Sequence, residues 1–294
     1  MPRATVQQRA LYAYSVHGHD GASVLDYSAF FSALADVDAQ GRQTGVGEET
    51  VAITAMFGTG GRWSIRFVSG IQGLPPLFYD PVTGTESTVD VGQRIVATAS
   101  WAFVDPTKRF AVIDRRRPGV PVAVMAKALS HLGRELGLAE SLTISLNPVP
   151  SPSFLTELDR FDRIRQAAVV LTRPNYNWQD SATSLAGYAA ESDAGTAELA
   201  MSAERGGALS QTSGIVSDIK TLASQAIGAL KNLRVTGVRQ GESRETTLSL
   251  ANHQERRFVP VDRSASTAAE RDALQGAATA FLAELPEPDS SAGP

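Results

Sequence analysis

The chain has 294 residues, 43% hydrophobic and 20% charged, enough apolar material for one large or two ordinary domains. Its formal net charge of −4 argues against a constitutive coat on nucleic acid but leaves room for a local basic patch. Cysteine is absent, which excludes disulfides, thiolate nucleophiles and cysteine-ligated zinc, and no apolar stretch approaches the roughly 20 residues that span a bilayer.

The N-terminus, MPRATVQQRALYAYSV, has no long apolar core and no small-residue cleavage site. It does not read as a signal peptide, so a cytoplasmic location is expected. Ala10 to Val16 reads as a strand with Tyr12 and Tyr14 on one face, followed by an HGHDG turn. Asp26 is placed to cap a short helix, Tyr27 to Ala35, with Phe30, Phe31 and Leu34 as its apolar stripe. Val51 to Phe57 and Trp63 to Ser69 flank a glycine-rich loop and predict a β-hairpin. Residues 70–93, rich in Gly and Pro, read as a long loop. A second hairpin runs from Arg94 through Val104, turns at Asp105 to Lys108 and returns as Arg109 to Asp114, with a half-buried pattern.

Pro118 and Pro121 mark a candidate domain boundary. A helix is expected over Val122 to Leu136, stopped by Gly137, then a strand at Leu142 to Leu146. Ser151 and Pro152 suit the start of a helix through Arg160. Ala167 to Thr172 is a short apolar run halted by Arg173, Pro174 and Asn175, the pattern of a strand buried on both faces. Further expectations are helices over Asp180 to Glu191 and Ser213 to Leu230, and a strand at Thr196 to Ala203. A hairpin of Leu233 to Val238 with Thr246 to Leu250 and a strand at Phe258 to Val261 follow. Thr267 and Glu270 have capping-box spacing for a last helix carrying Leu274, Ala278, Phe281 and Leu285. Residues 286–294 read as a disordered tail. The fold class is therefore α+β: a β-rich domain with one short helix over 1–118, then an α/β domain with a mixed sheet and flanking helices over 119–285.

No nucleotide-binding glycine motif, P-loop or nucleophile elbow is present. His17-Gly18-His19-Asp20 contains metal-ligating types, but a site needs three or four converging groups, and the remaining histidines, His131 and His253, lie far off in sequence and lack local ligand patterns, so it reads as a polar turn and no metal is expected. Glu157, Asp159 and Asp162 alternate with Arg160, Arg163 and Arg165, which suits a solvated helix face better than a metal-holding nuclease site. The remaining signal is basic. Of 27 basic residues only four are lysines. Arginine makes planar contacts to phosphate and guanine, although a GC-rich coding sequence produces the same bias. Lys108, Arg109, Arg115, Arg116 and Arg117 sit on the second hairpin and its exit and suit contact with a phosphate backbone. Solvated charge after an edge strand is the competing reading. Arg205, beside a Gly-Gly turn, and the pair Arg256-Arg257 are further candidates.

The order of elements resembles one family. The segments ALYAYSV, DYSAFFSALAD and VAITAMFGTGGRWSIRFVSG, then SWAFVDPTKRFAVI, and later SLTISLNPVP, RQAAVVLTRPN and AELAMSAERGGALS, together resemble the lambda Rex-type phage-exclusion A protein family. The resemblance covers most of the chain as a pattern and contains no signature motif. It implies a homodimeric, prophage-encoded protein without enzymatic activity or cofactor. Such a protein binds duplex DNA largely independently of sequence and acts with a small membrane partner to exclude superinfecting phage. The chain departs from the pattern in its acidic balance and in carrying Ser202 and Glu204 where a DNA-contacting member would be more basic. A metal-dependent defence nuclease and a protein-interaction module without nucleic acid are the alternative readings.

Overall fold

The computed structural model describes residues 6–21, 23–172, 196–224 and 230–285. The fold is α+β with a β-rich N-terminal region. Its hub is β1 (Val6–Asp20). One edge of β1 pairs with β9 (Phe110–Arg115) over Ala10 to Ser15. The other edge is shared: β15 (Arg256–Asp262) takes Val6 to Tyr12 and β10 (Leu142–Pro148) takes Tyr14 to Asp20. Beyond β9 the sheet continues through β8 (Thr98–Asp105), β5 (Arg62–Gly70), β4 (Glu49–Thr59) and β3 (Gln43–Val46), while a short β2 (Ser23–Val24) closes on the end of β1.

Side chains alternate across a strand, and both faces of this sheet find a helical layer. Tyr14, Val16, Ile65, Phe67, Val104 and Ile113 point to one face, covered by α1 (Tyr27–Asp36) and α2 (Val122–Glu135). Asp26 caps α1 as expected, accepting from the Ala29 amide at 2.9 Å. Gly133 of α2 has no room for a side chain, because a Cβ there would collide with Leu142 and crowd Phe30. Leu11, Ala13, Trp101, Phe103 and Val112 point to the other face, covered by α5 (Thr267–Glu284) through Leu274, Ala278 and Phe281. Its N-cap is Ser266, one residue before the expected Thr267. Each large apolar side chain buried in these layers contributes about 1.5–3 kcal/mol.

A second sheet, β12 (Thr196–Ser202), β11 (Phe161–Thr172), β13 (Leu230–Arg239) and β14 (Glu245–Ser249) in that order, packs on α3 (Pro152–Asp159) and α4 (Ile215–Ser224). Phe154, Leu158, Val169, Val216, Ile219, Leu233 and Val235 form its separate core. This unit leaves and rejoins the first sheet at one place. The Ser151 amide donates to the His253 carbonyl at 2.9 Å and the Glu255 amide to the Val149 carbonyl at 2.8 Å.

Several expectations are corrected. HGHDG is not a turn: His17 to Asp20 continue β1, pairing with Ser145 to Leu142, and the chain reverses at Gly21. Segment 70–93 contains the small hairpin of β6 (Leu77–Asp80) and β7 (Thr85–Thr88). The β8–β9 hairpin is buried on both faces, because α5 returns from far along the chain to cover the second one. β11 is longer than Ala167 to Thr172 and alternates between buried and partly exposed positions. The chain does not change cores at Pro118. Residues after it, in α2, β10, β15 and α5, pack on the first sheet, and the separate core is confined to the segment between Ser151 and Leu250. The prolines mark a tight entry into α2, whose N-cap is Pro121, and an entry turn carries the same sequence signal as a linker. Arg173 to Asn175, the helix expected at Asp180 to Glu191 and the tail 286–294 lie outside the described residues.

Candidate nucleic-acid interface

Strand alternation divides the Arg115-Arg116-Arg117 run. Arg116 turns under α5. Its Nε donates to the Ala99 carbonyl at 2.6 Å and its Nη1 to Glu270 at 3.2 Å. There it joins a buried network. Arg9 forks onto both carboxylate oxygens of Asp114, with Nε to Oδ1 at 3.0 Å, and its third nitrogen reaches Glu270 at 2.7 Å. Asp114 is fully buried and Arg9 nearly so. Two guanidiniums and two carboxylates therefore compensate one another in a site that would not tolerate a lone charge. Burial works against the charge on Arg9, and the hydrogen bonds and charge of Asp114 and Glu270 outweigh it, raising the affinity of its guanidinium for the proton.

Other basic candidates are also committed within the chain. Lys108 donates from Nζ to the carbonyls of Leu282, Ala283 and Leu285 at 3.3–3.4 Å, a cation at the C-terminal end of α5 where the helix dipole favours one. Arg257, on the α5 side of β15, pairs with Glu284 and lies over the Phe281 ring at 4.7 Å. Arg109 occupies the left-handed turn position of the β8–β9 hairpin, with φ of 56°, and lies over Tyr27 at 5.6 Å. Arg205 is exposed in the loop after β12, on the second sheet.

The structure brings together Arg115 and Arg256. They flank β1 on the same face: Arg115 stands opposite Ala10 on β9, and Arg256 opposite Tyr12 on β15. They are two strand spacings apart across the sheet and two residues apart along it, roughly 12 Å between backbone positions. Arg115 lies over the Tyr12 ring at 4.7 Å and reaches the Tyr14 hydroxyl at 3.5 Å. Burial raises the Tyr14 pKa, and the charge of Arg115 opposes that rise. Arg256 lies over the Phe258 ring at 5.4 Å. Phe258 is 61% exposed and Val6, further along β1 on the same face, 59%. Arg117 is exposed just past the end of β9. α2 covers only the other half of this face, so the half carrying Tyr12, Phe258, Arg115 and Arg256 is open among the described residues. Sequence reasoning found the arginines but not their aromatic platforms. Tyr12 and Phe258 each sat in a recognised strand, and only the register shows that they share a face.

The histidine and acidic clusters resolve differently. His17 is buried in β1; burial, with the charges of Arg109 and His19, pushes its pKa down to about 3, so it is neutral at physiological pH. Glu157 pairs with Arg160 at 2.6 Å and Arg239 at 3.2 Å, and Asp159 with Lys220 at 2.7 Å, so these carboxylates have separate cationic partners. Among the described residues no three His, Asp or Glu side chains converge as metal ligands, and no helix is long and apolar enough to cross a membrane. A groove of about 230 Å³ lies between the β4–β5 hairpin and α5, lined by Arg62, Trp63, Gln275 and Thr279. Its one cation, Arg62, is paired with Asp105 at 2.8 Å. No family model matches the sequence, and no curated protein matches it.

Proposed function

We propose that this chain is a non-enzymatic protein that binds duplex DNA with little sequence preference through the open face of β9, β1 and β15. The observation that supports this reading is the pair Arg115 and Arg256, each with its guanidinium over an aromatic ring, at 4.7 and 5.4 Å from the centroid, on a sheet face left open among the described residues. A guanidinium held over a ring by cation–π attraction still has N–H groups free for a phosphate oxygen and loses little rotamer freedom on binding. Contacts of this kind position a protein on the backbone without reading bases. Arg117 extends the cationic rim, whereas Lys108, Arg116 and Arg257 serve the fold. The resemblance to Rex-type exclusion proteins adds the biological setting: a prophage-encoded, homodimeric sensor in the cytoplasm that acts with a small membrane partner. A gel-shift titration with plain duplex, with and without magnesium, tests the reading. A salt-sensitive shift on unrelated sequences is expected. Magnesium-dependent cleavage would point to a nuclease instead, and no shift at low salt would refute DNA binding.

A further inference from the structure

Between β5 and β8 the chain leaves the sheet as an arm. Gln72 and Ile95 form a single bridge at its base, and β6 and β7 form a two-stranded ribbon further out. Such a ribbon is marginal in water by itself. This one exposes Leu74, Leu77, Phe78, Tyr79 and Val82 at 53–91%. Scattered apolar side chains on a surface need no explanation, but this many large ones within nine residues, three of them consecutive on the ribbon, mark an interaction surface. The α5 stripe, which from sequence alone was available for an interface, is buried on the chain's own sheet, whereas the apolar side chains of the arm stay open among the described residues.

The arm's charge selects its partner. Residues 71–97 carry Asp80, Glu86 and Asp90 against Arg94, three acidic and one basic, a net −2. An acidic ribbon is repelled by phosphate and by anionic lipid. It complements a surface that is cationic and aromatic, and the same chain presents one: Tyr12, Phe258, Arg115 and Arg256, with Asp262 as an acidic residue at the far end opposite Val6. The ribbon register puts Leu77, Tyr79, Glu86 and Thr88 on one side, so an apolar pair and a carboxylate arrive together. The arm does not fold back onto its own chain, since those side chains remain exposed. From Gln72 to Val82 it extends by up to roughly 30 Å, far enough to reach a neighbour.

We infer that two copies of this chain exchange arms, each acidic, apolar β6–β7 ribbon seating on the arginine–aromatic face of the other. Because the exchange is reciprocal, each copy receiving the arm of the copy to which it gives its own, the arrangement closes as a two-fold dimer rather than a ring or filament. A standard interface removes about 800 Å² from each partner, here divided between the arm it gives and the face that receives. The receiving face is also the proposed DNA face, so arm and duplex compete for it, and the arm-exchanged dimer is the DNA-free form that duplex must open. Self-association is measured without DNA, and failure of either reading leaves the other standing.

Charge reversal with cross-mixing tests it. One variant carries Glu86→Arg and Thr88→Arg on the arm; the other carries Arg115→Glu and Arg256→Glu on the face. Thermal unfolding verifies that each is folded. Light scattering at micromolar concentration is expected to give twice the 31.2 kDa chain mass for the wild type, monomer for each variant alone, and dimer again for their equimolar mixture, where both contacts become complementary. A monomeric wild type, variants that associate like the wild type, or a mixture that stays monomeric would each overturn the inference.

Discussion

Replacing Asp114 with asparagine keeps the side-chain shape but removes the charge that faces Arg9. Asp114 is fully buried and takes both oxygens into the Arg9 fork. After the change the Arg9 guanidinium keeps only Glu270, which it already shares with Arg116. Breaking a buried pair by removing one partner costs about 3–5 kcal/mol. The lower end applies here because one carboxylate remains, so we expect about 3 kcal/mol. For a chain of this size that lowers the melting temperature by about 5 °C. Urea unfolding followed by circular dichroism measures the change. The double variant Arg9→Met, Asp114→Leu removes both charges and leaves Glu270 with Arg116, so it should recover most of the loss, since buried pairs are often replaceable by apolar groups. A loss below about 1 kcal/mol for Asp114→Asn, or a double variant as unstable as the sum of its parts, would refute the claim that this network is one compensated unit.

Stability should also depend on His17. Its folded pKa is depressed to about 3 from 6.5, so its contribution is fully present above pH 6.5 and is lost as pH falls, because the unfolded chain takes up a proton that the folded chain refuses. At about pH 5 this amounts to about 2 kcal/mol, and His17→Phe should flatten that part of the profile in urea midpoints measured across pH; parallel profiles would contradict it. Phe281→Ala empties the contact of α5 with the sheet and should cost about 3–5 kcal/mol, read as a lowered midpoint; a neutral result would mean that α5 does not hold that face. Lys108→Ala should cost about 0.3–1 kcal/mol through the end of α5 and leave DNA affinity nearly unchanged, whereas a large affinity loss would return Lys108 to the binding surface.

Much of the local structure was legible because its signals are local. Asp26 before an apolar stripe, the glycines between Phe57 and Trp63, and the spacing of Leu274, Ala278 and Phe281 each predict an element that the structure contains. What stayed hidden depends on register and on distant segments. The polar His17 and His19 masked the end of β1, because their partners on β10 lie over a hundred residues away. Ala99 to Val104 looked half-buried because alternating small and large residues mimic one polar face, yet α5 covers it. The Arg115 to Arg117 run reads as a cluster of cations of which alternation lets only some share a face. The strand period alone separates Arg115 from Arg116, but that Arg256 and Phe258 complete the face with Arg115 follows only from both strands pairing with β1.

A salt titration of DNA affinity for the wild type and for Arg115→Ala, Arg256→Ala on two unrelated duplexes tests the central claim most directly. Each phosphate contact releases counterions, so the double variant should bind more weakly by the same factor on both duplexes, with a log–log salt slope shallower by up to about two. A folded double variant with wild-type affinity and wild-type slope would contradict the account.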